Sequence, residues 1–386
     1  MPHASVYDPA TNMWTRQGDM SGGRWYPTAV MLPDGGVLVS FGGDENGNPN
    51  NTQQIWRDGH FVPTVNFVFP MDVPPYYPRM HVVPDGRVLM TGPLALTQFL
   101  DTTAGQWTFL NDSDINLSSR LNNFRDYAPS VLYDVGKILF IGGGNAPTQE
   151  AEILDLNDPM RRWKKTDDMK LARRQHNATL LPDGTVLVMG GTQGNGGESN
   201  GFNDLTPGQP IHAAELWNPK TGHWTTLAEA SVDRCYHSIA LLLPDATVLS
   251  AGGGEYSPRN DGQQNDPKDS HRDAQIYSPP YLFKGTGERP VITSAPDNVT
   301  YGQTFTVATS HPNEVGQVNW VRLSSVTHSF NTNQRIIFLK FTAATASLSV
   351  TVPAPTDINV CPTGHYMMFV LDTAGVPSVA KILRIH

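Results

Sequence analysis

Apolar residues along this chain come in short runs, and turn residues cut each run off on both sides. Five runs follow one plan: "LPDGGVLVSFGG" (32–43), "VPDGRVLMTGP" (83–93), "YDVGKILFIGGG" (133–144), "LPDGTVLVMGG" (181–191) and "LPDATVLSAGGG" (243–254). Each has a tight turn, an apolar run of strand-forming residues, then glycine, which predicts a hairpin leading into a buried strand. A second segment recurs: "VYDPATNMWT" (6–15), "FLDTTAGQWT" (99–108), "ILDLNDPMRRW" (153–163), "ELWNPKTGHWT" (215–225) and "IYSPPYLF" (276–283). A strand there ends in a polar turn, and a tryptophan follows in all but the last. The repeat length is roughly 50 residues, that of a four-stranded unit arrayed around an axis, so the pattern predicts a β-propeller. Paired glycines would let neighbouring backbones approach, and the aromatics would pack between units. No apolar stripe of helical period runs through these segments, which sets a helical solenoid aside.

The pattern changes after "YSPPYLFKGTGERP". Residues 289–386 alternate in strand fashion ("QTFTVATS", "SLSVTVPAP", "HYMMFVLD"), which predicts a small β-sandwich. The expected organisation is a propeller over 1–288 and a sandwich over 289–386. "PTGHYMMFV" suggests a tyrosine corner at Tyr366. His328 lies alone in a polar stretch, "VTHSFNTNQR" (326–335).

Composition agrees with many short strands joined by turns: 35 glycines, 31 prolines and only 16% charged residues in 386. The formal net charge is −9. An acidic balance argues against nucleic acid as a partner and against a basic membrane patch. There is no apolar run long enough for a transmembrane helix. Two cysteines, Cys235 and Cys361, are too few for a disulfide framework. The start, "MPHASVYDPATNMW", has neither the basic nor the apolar region of a signal peptide. The sequons at Asn111 and Asn298 are near chance in a chain so rich in Asn, Ser and Thr.

The innermost strand of each repeat should line the axis. Its starts align as "RWYPTAV" (24–30), "YYPRMHV" (76–82), "RDYAPSV" (125–131), "RRQHNAT" (173–179) and "RCYHSIA" (234–240). Four of the five have Arg, any residue, then Tyr or His. That register predicts Tyr26, Tyr127, His176 and Tyr236 around one channel mouth, with Tyr77 close by.

The stretches "GRWYPTAVMLPDG", "RCYHSIALLLPD", "AQIYSPPYLF", "SVTHSFNTNQR" and "HYMMFVLDTAGVPSVA" resemble the copper radical oxidases, the galactose oxidase and glyoxal oxidase family. The resemblance runs over essentially the whole chain. It implies an all-β fold, a kelch-type propeller followed by an immunoglobulin-like sandwich. "RWY" is closer to the glyoxal oxidase branch. Carried over by motif, the ligands of one copper ion would be Tyr26, Tyr236, His237 and His328. Tyr26 would be the radical-bearing tyrosine and Tyr236 the general base. Tyr77, Tyr127, His176 and Trp25 would surround them. The implied reaction oxidises small aldehydes or primary alcohols, carbohydrates among them, with dioxygen to give hydrogen peroxide, outside the cytoplasm. Such a site is chemically coherent, because imidazoles and phenolates suit Cu(II) and a bound cation favours the phenolate.

Tyr236 and His237 are sequence neighbours, and neighbours on a regular strand face opposite ways. Both can reach one metal only if the strand start is irregular there. Cys235 would then turn into the core.

Two departures from the family stand out. Its radical tyrosine is joined by a thioether to a cysteine some forty to fifty residues upstream, and no cysteine precedes Tyr26. Either the chain lacks an N-terminal part, consistent with about five and a half blades where seven are expected, or it is a shortened homologue without the cross-link. Secondly, the loop after Gly42-Gly43 carries Asp44, Glu45 and Asn46, not a tryptophan. Trp25 on a regular strand would face away from Tyr26, which argues against galactose. "DENGNPNN" (44–51) lacks the spacing of a calcium loop. The long polar loops 190–210 and 256–273 would either wall the cleft or be mobile. The alternatives to an oxidase are a non-catalytic kelch propeller that binds glycan or protein, and a metal-binding homologue without the Tyr–Cys cofactor.

Overall fold

In a computed structural model, the inner strands Thr28–Met31, Arg79–Val82, Ser130–Asp134, Asn177–Leu180 and Ser238–Leu242 each open an antiparallel sheet. The structure describes residues 2–62, 67–68, 75–111, 114–121, 124–195, 203–254, 270–285, 288–343 and 349–386. Residues 196–202 and 255–269 of the two long loops, and 112–113 of the first sequon, lie outside them. Sheets two to four run Arg79–Val82, Val88–Gly92, Gln98–Asp101, Gln106–Phe109; Ser130–Asp134, Lys137–Ile141, Ala151–Asp155, Trp163–Lys165; and Asn177–Leu180, Val186–Met189, Ala213–Trp217, Trp224–Glu229. The first sheet also begins with four strands in sequence order, and the fifth has three. Ser5–Asp8 and Met13–Arg16 form a separate two-stranded pair with every residue exposed.

The apolar runs fill the wedges between sheets. Val30, Leu38, Met80 and Val88 pack between the first and second, and Leu89, Phe99, Leu132 and Phe140 between the second and third. Trp163 bonds through its indole to Thr97 of the preceding sheet (2.9 Å) and so sits between units, whereas Trp14 of the separate pair is exposed. Paired glycines are required where sheets meet. A Cβ on Gly190 would come within 2.1 Å of the Arg234 carbonyl, and one on Gly191 within 2.5 Å of the Arg174 carbonyl.

The repeated arginine turns back into its own sheet. Arg24 donates to the Phe41 carbonyl, Arg173 to Gly190 and Arg234 to Gly252. Arg173 also pairs with Glu215, both fully buried, at 2.6 Å. Removing one partner of such a pair would strand a buried charge.

The C-terminal residues form the expected sandwich. One sheet holds Ile292–Ser294, Thr304–Thr309, Ser349–Pro353 and Thr342–Ala343. The other holds Asn298–Val299, Lys381–Ile385, Gly364–Asp372, Val315–Arg322 and Ile336–Leu339. Trp320, Tyr366, Phe305 and Cys361 share its core. The Tyr366 hydroxyl donates to the Pro362 carbonyl four residues upstream (2.7 Å), the bond of a tyrosine corner.

Between these strands a hairpin, Ser325–Thr327 with Phe330–Thr332, leaves the sandwich and enters the propeller. Its strands touch all five inner strands. An inner strand has a free edge toward the axis, and unpaired backbone groups there would be costly when buried. The hairpin and the residues after it fill that need. Asn333 accepts from the Met31 amide, Arg335 donates to the Val82 carbonyl, and Gln334 accepts from the Leu180 amide and donates to the Ala178 carbonyl.

Candidate metal centre

At one end of the channel a residue in the left-handed region precedes every inner strand: Tyr26 (φ 66°), Tyr77 (43°), Tyr127 (50°), Gln175 (60°) and His237 (63°). For a residue with a Cβ this conformation costs about 1–2 kcal/mol. Its recurrence in all five repeats marks a built feature. Neighbouring turns are tied together, Tyr77 N–H to the Tyr26 carbonyl (3.0 Å) and Gln175 N–H to the Tyr127 carbonyl (3.1 Å).

Counted from the repeat arginine, the left-handed residue comes second in "RWY", "RDY" and "RRQ" but third in "RCYH". This slip of one residue is the irregularity expected at "RCYHS". It brings Tyr236 and His237 to the same side, with ring centroids 3.7 Å apart. The Tyr236 amide donates to Asn203 Oδ1 (3.2 Å) and its carbonyl accepts from Gly254 (3.0 Å), which fixes the turn. Cys235 is buried, with Sγ donating to the Gly191 carbonyl (3.3 Å).

His328 and Ser329 form the two-residue tip of the threaded hairpin, with φ of 47° and 65°. Positive φ at both positions is what a type I′ turn requires. The tip sets the His328 ring 4.7 Å from Tyr26, 4.2 Å from Tyr77, 5.3 Å from Tyr236 and 4.8 Å from His237, centroid to centroid. The phenol oxygens of Tyr26 and Tyr236 are 2.5 Å apart. Tyr26, Tyr236, His237 and His328, drawn from the first repeat, the fifth repeat and the sandwich, thus meet at one point.

The other expected neighbours divide. Tyr77 stacks on His328 at 21°, and the Tyr127 ring meets that of Tyr236 edge-on at 5.7 Å. His176 does not face the channel. Gln175 takes the left-handed position, and His176, one residue on, is fully buried against Gly142 and Gly191. Trp25 does not face away from Tyr26 either: the two rings stack at 3.9 Å and 19°. The alternation rule fails there because Tyr26 is left-handed, not extended. An uncovered Tyr26 therefore no longer argues against galactose. Tyr76, 45% exposed, adds an edge contact to both rings. The Asp44 carboxylate caps its own turn through the Asn46 and Asn48 amides.

Two residues at the site went unnoticed in the sequence, Tyr76 and Arg79. Arg79 is buried, and its guanidinium donates to the Ala128 carbonyl (2.7 Å), the Tyr77 carbonyl and the His328 carbonyl (3.2 Å). The signal was present in "YYPRMHV", where the arginine follows the aligned tyrosine, not precedes it.

Burial dominates the electrostatics. It pushes His328 down to about 3, with His237 and Arg79 adding to the effect. His237 is also lowered by burial, partly offset by a hydrogen bond to the Gly254 carbonyl. Burial, then Tyr127 and Tyr26, hold the Tyr236 phenol far above its usual range, and burial, then Tyr26, raise Tyr77 to about 12. The cluster is therefore a neutral one that a cation would convert to phenolate. His328 Nδ1 is engaged with the Thr327 hydroxyl (2.7 Å), while Nε2 is buried with no hydrogen-bond partner. An unpaired buried nitrogen beside two phenols and a second imidazole fits a divalent copper ion. Among the described residues no group of three or more His, Cys, Asp or Glu side chains forms a metal site, so the phenols are essential to any such set here.

Residues 142–281 match the family model described as glyoxal oxidase N-terminus, and residues 289–385 that of the galactose oxidase-like, early set domain. Galactose oxidase of Gibberella zeae is 29% identical over 99% of this chain and 57% of its own length. Aldehyde oxidase GLOX of Vitis pseudoreticulata is 27% identical over 95% of the chain and 73% of its own length. A solved fungal alcohol oxidase in complex with copper is similar with a TM-score of 0.82 and 29% identity, covering 100% of this chain and 81% of that one. The chain thus spans little more than half the length of the galactose oxidases it matches. Over residues 142–281 and 289–385, and against these relatives, it is similar to the galactose oxidase and glyoxal oxidase family.

Proposed function

We propose that the chain holds one copper ion through Tyr26, Tyr236, His237 and His328 and oxidises small aldehydes or primary alcohols, carbohydrate alcohols included, with dioxygen. The observation that carries this reading is the convergence of two phenols and two imidazoles from three distant segments, with His328 Nε2 buried and unpaired. Copper, when bound, supplies a one-electron acceptor and a positive charge beside the phenols.

A two-electron oxidation needs a second acceptor within the chain, and Tyr26 takes that role under the stacked Trp25 ring. Tyr236 Oη takes the substrate's hydroxyl proton. Its raised pKa makes the phenolate a strong base, and Tyr26 Oη at 2.5 Å offers the proton a second station. The Gly254 carbonyl orients the His237 ring, and the hairpin orients His328. Two electrons and two protons leave the alcohol and reappear in hydrogen peroxide. A location outside the cytoplasm is part of the proposal; no helix among the described residues is long and apolar enough to cross a membrane.

The two thiols favour one second reading. Cys235 donates to the Gly191 carbonyl and Cys361 lies in the sandwich core, so neither of these thiols is aimed at Tyr26. A metal-binding homologue without the Tyr–Cys cofactor would load copper and turn over slowly or not at all. Peroxide release by the copper-loaded chain with methylglyoxal, glycolaldehyde and galactose, with His328→Ala as control, decides between them. Peroxide that vanishes in the variant supports the oxidase. Copper bound through His328 without peroxide from any alcohol or aldehyde supports the second reading.

A further inference from the structure

Four of the five repeats place their arginine two or three residues before the left-handed turn residue, where it turns back to cap carbonyls of its own sheet. The second repeat breaks this rule. Pro75 stands two residues before Tyr77, and the arginine comes two residues after it, as Arg79. The capping task passes to Arg120, which donates to the Thr91, Pro93 and Leu94 carbonyls. Arg79 is thereby freed from the repeat's structural role and aimed at the channel.

Its three acceptors are not ordinary carbonyls. Tyr77 and His328 are themselves left-handed, and Ala128 directly follows left-handed Tyr127. Strained residues of this kind persist only where their surroundings over-determine them. The three belong to the second repeat, the third repeat and the hairpin tip, and the planar guanidinium reaches all of them from one place. The Tyr77 ring, on the same clamp, stacks on the His328 imidazole.

We propose that Arg79 is a positioning residue for the metal centre: it locks the hairpin tip against the Tyr77 and Tyr127 turns and so sets where His328 Nε2 meets Tyr26 and Tyr236. This rests on the copper reading above only for its effect on the metal. Its effect on the hairpin holds in the metal-free chain.

The test compares Arg79→Gln and Arg79→Lys with Arg120→Lys, a buried arginine of the same sheet that does not touch the hairpin. In the metal-free proteins, hydrogen exchange across residues 325–335 is measured by mass spectrometry. Exchange at least tenfold faster in both Arg79 variants, and unchanged in Arg120→Lys, is expected. In the same proteins titrated with Cu(II), the paramagnetic resonance spectrum of Arg79→Gln should move toward that of His328→Ala, with Arg79→Lys intermediate. Should Arg79→Gln fail to fold, Arg79→Lys keeps the charge and carries the comparison. Hairpin exchange that matches wild type in a folded Arg79 variant overturns the proposal. A wild-type chain that takes up no copper would sink the copper reading instead, and the metal-free exchange would still judge Arg79.

Discussion

Gln334→Leu puts the docking of the hairpin to a direct test. Gln334 is 4% exposed. Its Oε1 accepts from the Leu180 amide at 3.0 Å and its Nε2 donates to the Ala178 carbonyl at 3.1 Å. Leucine fills a similar volume and offers neither group. Two backbone groups on the axis edge of the fourth sheet would then be buried without partners, at about 1–3 kcal/mol each, for a total of about 2–6 kcal/mol. Even the lower figure raises the ratio of undocked to docked hairpin about thirtyfold, since each 1.4 kcal/mol is a factor of ten. His328 is competent to bind metal only when docked, so apparent copper affinity falls by whatever fraction of docked hairpin is lost. The Leu180 amide is itself the reporter, because its exchange rate reads the bond being removed. Exchange at Leu180 should accelerate by at least an order of magnitude, and thermal stability and copper affinity should fall together. A Gln334→Leu protein with wild-type exchange at Leu180 and wild-type copper affinity would refute the argument that edge satisfaction holds the hairpin in the channel.

Acid should weaken the metal-free fold through its buried histidines. Burial, with Arg335 and Arg79, lowers His81 to about 3 from the ordinary histidine value of 6.5, so the unfolded chain binds the extra proton first. Stability is retained above pH 6.5 and lost as pH falls toward 3, by about 1.4 kcal/mol per pH unit for this residue. His81→Asn should flatten the fall of the unfolding midpoint between pH 6.5 and 4.5, and an unchanged slope would remove His81 from the account. Trp25→Ala strips the ring stacked on Tyr26 and should lower kcat/KM about two- to thirteenfold if the stack contributes about 0.5–1.5 kcal/mol; equal kinetics would mean that the contact is idle. Cys235→Ala should leave the copper spectrum and peroxide release intact and cost about 1 kcal/mol of stability through the lost Gly191 contact. Loss of a radical absorbance in that variant would instead make Cys235 the missing thioether partner.

Much of this architecture was legible because it depends on periodicity. The "PDG" turns and apolar runs repeat, and each delivered a hairpin with the expected pairing, as at Asn177–Leu180 with Val186–Met189. The repeat register brings Tyr26 and Tyr236 to one channel mouth, but the ligand set with His237 and His328 was legible only through resemblance, since nothing in the spacing of His328 says that it joins them. What failed was the inference of side-chain direction. Trp25 and His176 were placed by strand alternation and by a fixed register from the arginine. Both rules assume extended backbone, and the chain at the channel mouth is not extended.

That failure and the site have one cause. A left-handed residue at the head of an inner strand reverses which side chains face the axis, and the repeat supplies one such residue per sheet. In the first four sheets the position is held by Tyr26, Tyr77, Tyr127 and Gln175, so a ring of polar side chains forms whether or not a metal is bound. The fifth sheet slips by one residue, and the slip turns one contributor into two, Tyr236 and His237. A regular repeat offers a metal one group per sheet, whereas a slipped repeat can offer an adjacent phenol and imidazole from a single turn. The hairpin then needs to bring only one more imidazole, and its two left-handed residues aim His328 at the gap. Restoring the register by deleting Cys235 would put a single side chain where two now stand. That variant should keep the propeller's far-ultraviolet signature and lose tight copper binding; retention of copper binding would show that the slip is not what assembles the pair.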